Sequence, residues 1–208
     1  MKIGIITYDL QHKKTYDILT NFVNQRHDVT LLINKFKTYK TKRENPFFSH
    51  RPYQFNTPHP EEVAKNFNLP IKKFKNSKNL ENLDYVVIGG SGVLDEEYIR
   101  AKPIINCHSG IIPYSRGLDA FKWAIRNKIQ VGNTLHFIDK NIDYGRIIYV
   151  KKTHIFSNDS LNTFAERHYQ EEISLLSNFV NYLNINFNYK KKKIISIPQK
   201  RMPTKIEK

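Results

Sequence analysis

Two short runs of almost uninterrupted apolar residues, Asp84–Gly89 (DYVVIG) and Pro103–His108 (PIINCH), narrow the folds open to this chain more than any other feature. A strand with one wet face alternates apolar and polar side chains. A strand covered on both faces does not, and parallel sheets are covered on both faces because their crossover helices lie across them. The rest of the chain follows the same plan. Lys2–Tyr8 and Asp28–Asn34 are further apolar strands, and Thr15–Gln25 between them sets Ile18, Leu19, Phe22 and Val23 on one helix face. Pro60 with Glu61 and Glu62 opens a short helix to about Phe67, and Leu69–Phe74 adds a brief strand. Leu118–Asn127 reads as a helix, and Asn133–Asp139 and Arg146–Phe156 as later strands. Asn158-Asp159-Ser160 offers a cap for one long helix to about Leu183, with an apolar stripe from Leu161 and Phe164 through Leu176 to Phe179. This order predicts an α/β fold: a Rossmann-like domain over residues 1–186 with a mostly parallel central sheet and a long C-terminal helix, then a short basic tail, 187–208.

Composition sets the outer limits. A chain of 208 residues, 39% hydrophobic and 12% aromatic, has the material for one sizeable core and is not of a disordered type. The single cysteine, Cys107, excludes a disulfide framework, and no Cys/His spacing suggests a metal site. The opening Ile3-Gly4-Ile5-Ile6 is too short for a signal peptide or a membrane span, so a cytoplasmic location is expected and no membrane partner. The formal charge of +15 raises the question of a polyanionic partner. Its densest clusters, Lys35 to Arg43, Lys72 to Lys78 and Lys190 to Lys193, fall in loop or tail stretches that read as solvated surface, and no nucleic-acid partner is expected.

Chemistry concentrates in two signatures, Asn106-x-His108-x-Gly110-x-x-Pro113-x-x-Arg116-Gly117 and Asp143-x-Gly145. Alternate residues of a strand share a face, so Asn106 and His108 project side by side where open α/β sheets place their ligands, at the strand's C-terminal end. An amide that donates a hydrogen bond beside an imidazole that takes a proton suits attack of an amine on an acyl carbon, with Asp143 orienting or charging the ring. A histidine closing a buried strand is by itself an ordinary core residue; the ordered Gly, Pro, Arg and Gly after it and the downstream Asp143 argue for catalysis. Cys107 between the pair points the other way, as a small buried hydrophobe. His136, on a strand without a motif partner, reads as structural or as an edge of the substrate site. Gly89-Gly90-Ser91-Gly92 reads either as a plain strand-to-helix turn or as a site of close backbone approach, and its spacing is wrong for a nucleotide fingerprint.

The first signature, with Trp123-Ala124-Ile125, Thr134-Leu135-His136-Phe137, Ile142-Asp143-Tyr144-Gly145 and the upstream Asp84–Gly90 strand and turn, resembles the N-terminal catalytic domain of formyltransferases that use 10-formyltetrahydrofolate. The resemblance covers roughly residues 1–155 and is most specific between Asn106 and Gly145. It implies a formyltransferase fold and Asn106, His108 and Asp143 as the catalytic set. It also implies that Ile88, Gly89, Gly90, Gly92, Val93 and Leu94, with Asp139, hold the folate, with 10-formyltetrahydrofolate as the formyl donor and no metal. Members that formylate glycinamide ribonucleotide carry a Gly/Ser/Asn-rich phosphate loop after the first strand, where this chain has Tyr8-Asp9-Leu10-Gln11-His12-Lys13. Members that act on methionyl-tRNA append a β-barrel domain, for which the residues after Leu183 are too few. The class that acts on nucleotide-linked amino deoxysugars fits best. Another small amine such as glycinamide ribonucleotide stays open as the acceptor, as does an RNA-associated or non-catalytic role, and a homodimer is possible.

Contacts to such an acceptor are expected from two places. Arg116 in the turn after the catalytic strand could clamp phosphate or sugar oxygens with its planar fork, and Trp123 could wall the site or belong to the core. The aromatic and basic segment from Lys35 to Phe55 offers His50, Arg51 and Tyr53 to a nucleobase and diphosphate, stiffened by Pro46 and Pro52. The other reading of that segment is a satellite core in which the rings tuck under the loop.

Overall fold

A computed structural model describes residues 1–35, 46–185 and 197–207. The basic runs within 36–43 and 190–193, with Phe36 and Tyr39, lie outside the described residues. The elements are β1 (Lys2–Tyr8), α1 (Lys13–Asn24), β2 (Asp28–Asn34), α2 (Pro60–Asn66), β3 (Ile71–Lys73), a 3-10 turn (Ser77–Leu80), β4 (Tyr85–Ile88), α3 (Glu96–Ala101), β5 (Ile104–His108), α4 (Ala120–Arg126), β6 (Gly132–Phe137), β7 (Ile147–Lys152), α5 (Leu161–Ser177), α6 (Phe179–Leu183) and α7 (Thr204–Glu207). Seven strands form one mixed sheet in the order β3-β2-β1-β4-β5-β6-β7. The β2–β3, β1–β2, β1–β4 and β4–β5 pairs are parallel and β6–β7 is antiparallel, so the architecture is the expected α/β one.

The described residues fall into two compact units, one within Met1–Thr38 and Tyr53–Asn106, the other within Tyr39–Pro52 and Cys107–Lys208. In the first, β1 and β2 pair in register from Lys2↔Asp28 to Tyr8↔Asn34. Ile3, Ile5, Ile6, Val29, Leu31 and Leu32 are buried on alternating faces of these strands, which is why both read as continuous apolar runs, and α1 buries Ile18, Leu19 and Phe22. Lysines 72, 73, 75 and 78 are exposed, as a solvated surface requires. In the second unit the core gathers on Phe121, wholly buried with Ala124, Val131, Phe164 and Ala165. Its ring lies 5.3 Å from Phe164 and 4.8 Å from His168. Burying a phenylalanine of this kind contributes about 1.5–3 kcal/mol.

Several boundaries differ from expectation for local reasons. The helix read over Leu118–Asn127 starts only at Ala120, because Gly117 (φ +85°) and Asp119 (φ +53°) take left-handed conformations just before it. The long helix capped by Ser160 stops at Ser177, where Asn178 leaves the helical conformation (φ −110°, ψ 22°) while its backbone N–H and its side-chain amide both bond the Ser174 carbonyl (3.1 and 2.8 Å). Helix α3 buries no residue, so it has no apolar face for periodicity to detect.

Residues 197–207 fold back onto the second unit. Gln199 makes a parallel bridge with Gly117, donating N–H to the Arg116 carbonyl (2.9 Å) and accepting N–H from Leu118 (2.9 Å). Met202 is buried, and its N–H bonds Asp119 Oδ2 at 2.9 Å. Among the described residues no helix is long and apolar enough to cross a membrane, and no cluster of His, Cys, Asp and Glu could hold a metal ion.

Candidate active site

Strand β5 ends in His108, buried, with half-buried Asn106 two residues earlier on the same face by strand alternation and Cys107 buried on the other. His108 Nε2 lies 3.0 Å from the Ser115 carbonyl, an acceptor, so this nitrogen carries the hydrogen. In the neutral ring Nδ1 is then the proton-accepting atom, and it faces Asp143 Oδ2 at 3.5 Å. The same carboxylate oxygen accepts the Gly117 backbone N–H at 2.9 Å. Asp143 Oδ1 stands 4.0 Å from Nε2 of His136. His136 uses Nδ1 to donate to the Phe137 carbonyl (3.0 Å), so Nε2 presents a lone pair, and it is buried without a hydrogen-bond partner among the described residues. Burial pushes the His136 pKa down to about 4 against the opposing pull of Asp143, so this ring is neutral near pH 7. An acceptor facing a carboxylate gives it no stabilisation, so the Asp143 charge is met by Gly117 N–H, and by His108 only once Nδ1 carries a proton.

The sequence builds this arrangement through close backbone packing. Thr134 Oγ1 on β6 donates to the Gly110 carbonyl (2.7 Å) and accepts Ile112 N–H (3.1 Å), fixing the turn after His108. The glycine of the Asp143-x-Gly145 pair is there for space: a Cβ on it would stand 1.8 Å from the Phe137 carbonyl oxygen. Gly117 needs both space and a left-handed φ, since its Cβ would meet the Gln199 carbonyl at 2.4 Å. Asp143 itself sits at φ +47°, a conformation its short polar side chain tolerates better than most.

Arg116 is placed differently from the clamp expected of it. It is buried, its Nε donates to the carbonyls of Ile142 and Asp143 at 3.0 Å each, and its guanidinium lies 4.7 Å from the centre of the Tyr144 ring. A planar fork committed to these carbonyls holds the Asp143 loop in place. Trp123 is half-buried and donates its indole N–H to the Lys200 carbonyl (2.9 Å). His50 stacks on Phe121 at 5.8 Å, and burial together with neighbouring Arg51 holds its pKa well below the usual histidine value. Arg51 grips both oxygens of the fully buried Glu172, at 2.8 and 2.9 Å. His50 and Arg51 therefore turn toward the core of the second unit, as the satellite-core reading of this segment has it, with Phe48 packed beside them. Tyr53 is 69% exposed and meets Phe55 edge to face.

In the first unit, Gly89 and Gly90 both donate N–H to the Ile6 carbonyl (2.9 and 3.0 Å), and a Cβ on Gly90 would strike the Tyr8 ring at 2.7 Å. Ile88 and Leu94 are half-buried, Gly92 borders open space and Val93 is 80% exposed. The first two amides of α1 are occupied from within the chain: Gln54 accepts Lys13 N–H on its carbonyl (2.8 Å) and Lys14 N–H on its side-chain oxygen (3.1 Å). Asp139, in the loop that leads to Asp143, accepts Asn141 N–H at 2.8 Å. Sequence reasoning gave no role to two contributors to the second unit's site, Ser115 and Gln199, and read His136 only as structural or as an edge of the substrate site. His136 stood within a quoted motif. Ser115 and Gln199 act through backbone atoms, which leave no trace in residue type.

Comparison with known proteins places this geometry. The family model described as formyl transferase matches residues 24–180, well over half of the chain. Phosphoribosylglycinamide formyltransferase of Bacillus subtilis (strain 168) is 38% identical over 65 residues, 31% of this chain and 33% of that protein. That alignment, and those to the two curated relatives beside it, cover less than half of each relative's length. Among solved structures, phosphoribosylglycinamide formyltransferase of Anaplasma phagocytophilum superposes with a TM-score of 0.62 at 18% identity, covering 86% of this chain and 84% of that one. A sugar N-formyltransferase of Shewanella sp. FDAARGOS_354 gives 0.60 at 22% identity, covering 100% and 86%. These two likenesses speak for the fold; the family match speaks for descent, and with it this chain belongs to the formyl transferase family.

Proposed function

We propose that this protein transfers a formyl group from 10-formyltetrahydrofolate to the primary amine of a nucleotide-linked amino deoxysugar, in the cytoplasm. The observation that carries the formyl-transfer reading is the His108–Asp143–Gly117 arrangement at the end of β5, with Asn106 on the same strand face. Asn106 is half-buried, and its carboxamide engages no described residue, so it is available to donate to the charge that develops on the acyl oxygen. Such a donor is worth ~3 kcal/mol in a dry site. The attacking amine sheds a proton, and the place this chain offers for it is Nδ1 of His108, where Asp143 Oδ2 shares it at 3.5 Å. The folate, when bound, would supply the formyl group on its N10, and that nitrogen would leave with the proton held at His108 as its bond to the formyl carbon breaks. Ile88, Gly89, Gly90, Gly92, Val93 and Leu94 suit it: exposed Val93 and the open space at Gly92 offer an apolar edge and approachable backbone for a flat ring. Asp139 is assigned to the same donor.

The choice of acceptor rests on the start of α1. A helix N-terminus binds phosphate through its free amides, and here Gln54 already takes those of Lys13 and Lys14. This counts against a ribose-phosphate acceptor held at that place. The glycinamide ribonucleotide reading, to which the name of the Bacillus relative points, is the alternative. A panel of nucleotide-linked amino sugars and glycinamide ribonucleotide, incubated with 10-formyltetrahydrofolate and read by product mass, tests the choice. Gain of one formyl group on an amino sugar is expected, and formylation of glycinamide ribonucleotide alone would overturn it.

A further inference from the structure

Residues 197–207 meet the candidate active site at Gly117 and are anchored to the second unit at several further points. The point of contact is Gly117, whose N–H holds Asp143 Oδ2 at 2.9 Å. The backbone on either side of that donor is clamped by one residue: Gln199 N–H bonds the Arg116 carbonyl and the Gln199 carbonyl accepts Leu118 N–H, both at 2.9 Å. Gly117 lacks a Cβ where one would stand 2.4 Å from the Gln199 carbonyl, so the two backbones lie as close as backbones can. From there the segment is fastened outward. Lys200 accepts the Trp123 indole N–H, and Met202, buried, donates its N–H to Asp119 Oδ2. At its far end the Glu207 carboxylate, almost wholly buried, accepts the N–H groups of Phe47 and Phe48 and pairs with Lys122.

We propose that the 197–207 segment is a positioning element of the formyl-transfer site, acting through the Gln199 backbone to aim Gly117 N–H at the Asp143 carboxylate. A turn with two left-handed residues, Gly117 and Asp119, has soft peptide planes unless both sides are tied. Gln199 ties Arg116 and Leu118, and the Met202 bond ties Asp119. With the planes fixed, Asp143 is fixed, and with it the distance to His108 Nδ1. The inference rests on Asp143 being catalytic, and Gln199 is a positioning residue: it acts through Gly117 and touches no reacting atom.

The test uses the full chain with Gln199→Pro, which removes the N–H given to Arg116, and Gln199→Ala, which keeps both backbone bonds. Turnover of the physiological amine, the KM for each substrate and hydrogen exchange at the Gly117 amide are measured beside Asp143→Asn. Expected are a kcat at least ~10-fold lower in Q199P with folate KM within about twofold, loss of Gly117 amide protection, and unaltered values in Q199A. Should Q199P fold poorly, Asp119→Ala, which frees Met202 N–H, should lower kcat and Gly117 protection in the same direction. Normal kcat in a folded Q199P or D119A beside an inactive D143N would overturn the role of the segment and leave the site reading intact. Normal turnover in D143N would overturn both.

Discussion

Replacing Arg116 by lysine separates two roles that the residue type alone leaves open. In the structure the guanidinium donates through Nε to the carbonyls of both Ile142 and Asp143 at 3.0 Å, donates again through a terminal nitrogen to Ile142, and faces the Tyr144 ring. A lysine ammonium is a point charge on a flexible stem and cannot reproduce a planar fork on two adjacent carbonyls. At least one charge-assisted hydrogen bond is lost, worth about 1.5–3 kcal/mol. These bonds fix the loop that carries Asp143, so a loss expressed in the transition state lowers kcat by roughly 10- to 100-fold, since about 1.4 kcal/mol is tenfold. KM for the acceptor and for the folate should both stay within about threefold. Steady-state kinetics on folded R116K, with secondary structure checked by circular dichroism, make the measurement. A tenfold or greater rise in acceptor KM with kcat unchanged would refute the loop-holding role and return Arg116 to a substrate clamp.

Three further outcomes follow from the same geometry. Gly145→Ala places a methyl 1.8 Å from the Phe137 carbonyl oxygen, so it should cost about 1–3 kcal/mol in urea denaturation and depress turnover; unchanged stability and turnover would show that the loop has room. Arg51→Met removes the two bonds Arg51 gives the buried Glu172 and should destabilise by about 3 kcal/mol, while calorimetry on the folded variant finds nucleoside diphosphate affinity unaltered; a lost affinity would restore Arg51 to the acceptor site. Burial holds His168 down to about 4, below the 6.5 of an unfolded histidine, so the unfolded chain takes the proton first: stability is full above pH 6.5, falls as the pH drops toward 4, and levels off below. Acidification from pH 7.5 to 5 should cost ~2 kcal/mol more in the unaltered protein than in His168→Gln, and equal pH slopes would refute the buried neutral state.

What was legible in the sequence was whatever depends on side-chain type and spacing. The apolar runs of β1, β2, β4 and β5 and the Ile18, Leu19, Phe22 face of α1 announced a covered sheet, because burial on both faces leaves its mark in every residue. The Asn106, His108 and Asp143 spacing was legible for the same reason, and the fold brings His108 Nδ1 and Asp143 Oδ2 to 3.5 Å. Orientation was not legible. Arg116 and Arg51 have the composition of ligand-binding arginines, and only the fold shows that one holds backbone carbonyls and the other a buried glutamate. Contacts made by backbone groups, such as Ser115 on His108 and Gln199 beside Gly117, are silent in sequence because any residue supplies the same N–H and C=O. His136 shows the intermediate case: its motif was visible, but its place 4.0 Å from Asp143 depends on how β6 and the 142–145 loop meet.

The central claim, that the end of β5 and the Asp143 loop perform formyl transfer to an amino sugar, is met most directly by following the formyl group itself. Isotope-labelled 10-formyltetrahydrofolate is mixed with excess protein and a nucleotide-linked amino sugar, and label in the acceptor is followed over a single turnover. The unaltered protein should move the label to the sugar amine, and Asn106→Ala, His108→Ala and Asp143→Ala should each slow that step at least ~100-fold while folding normally. Label moving at the normal rate in all three variants, or never reaching an amino sugar while glycinamide ribonucleotide acquires it, would contradict the claim.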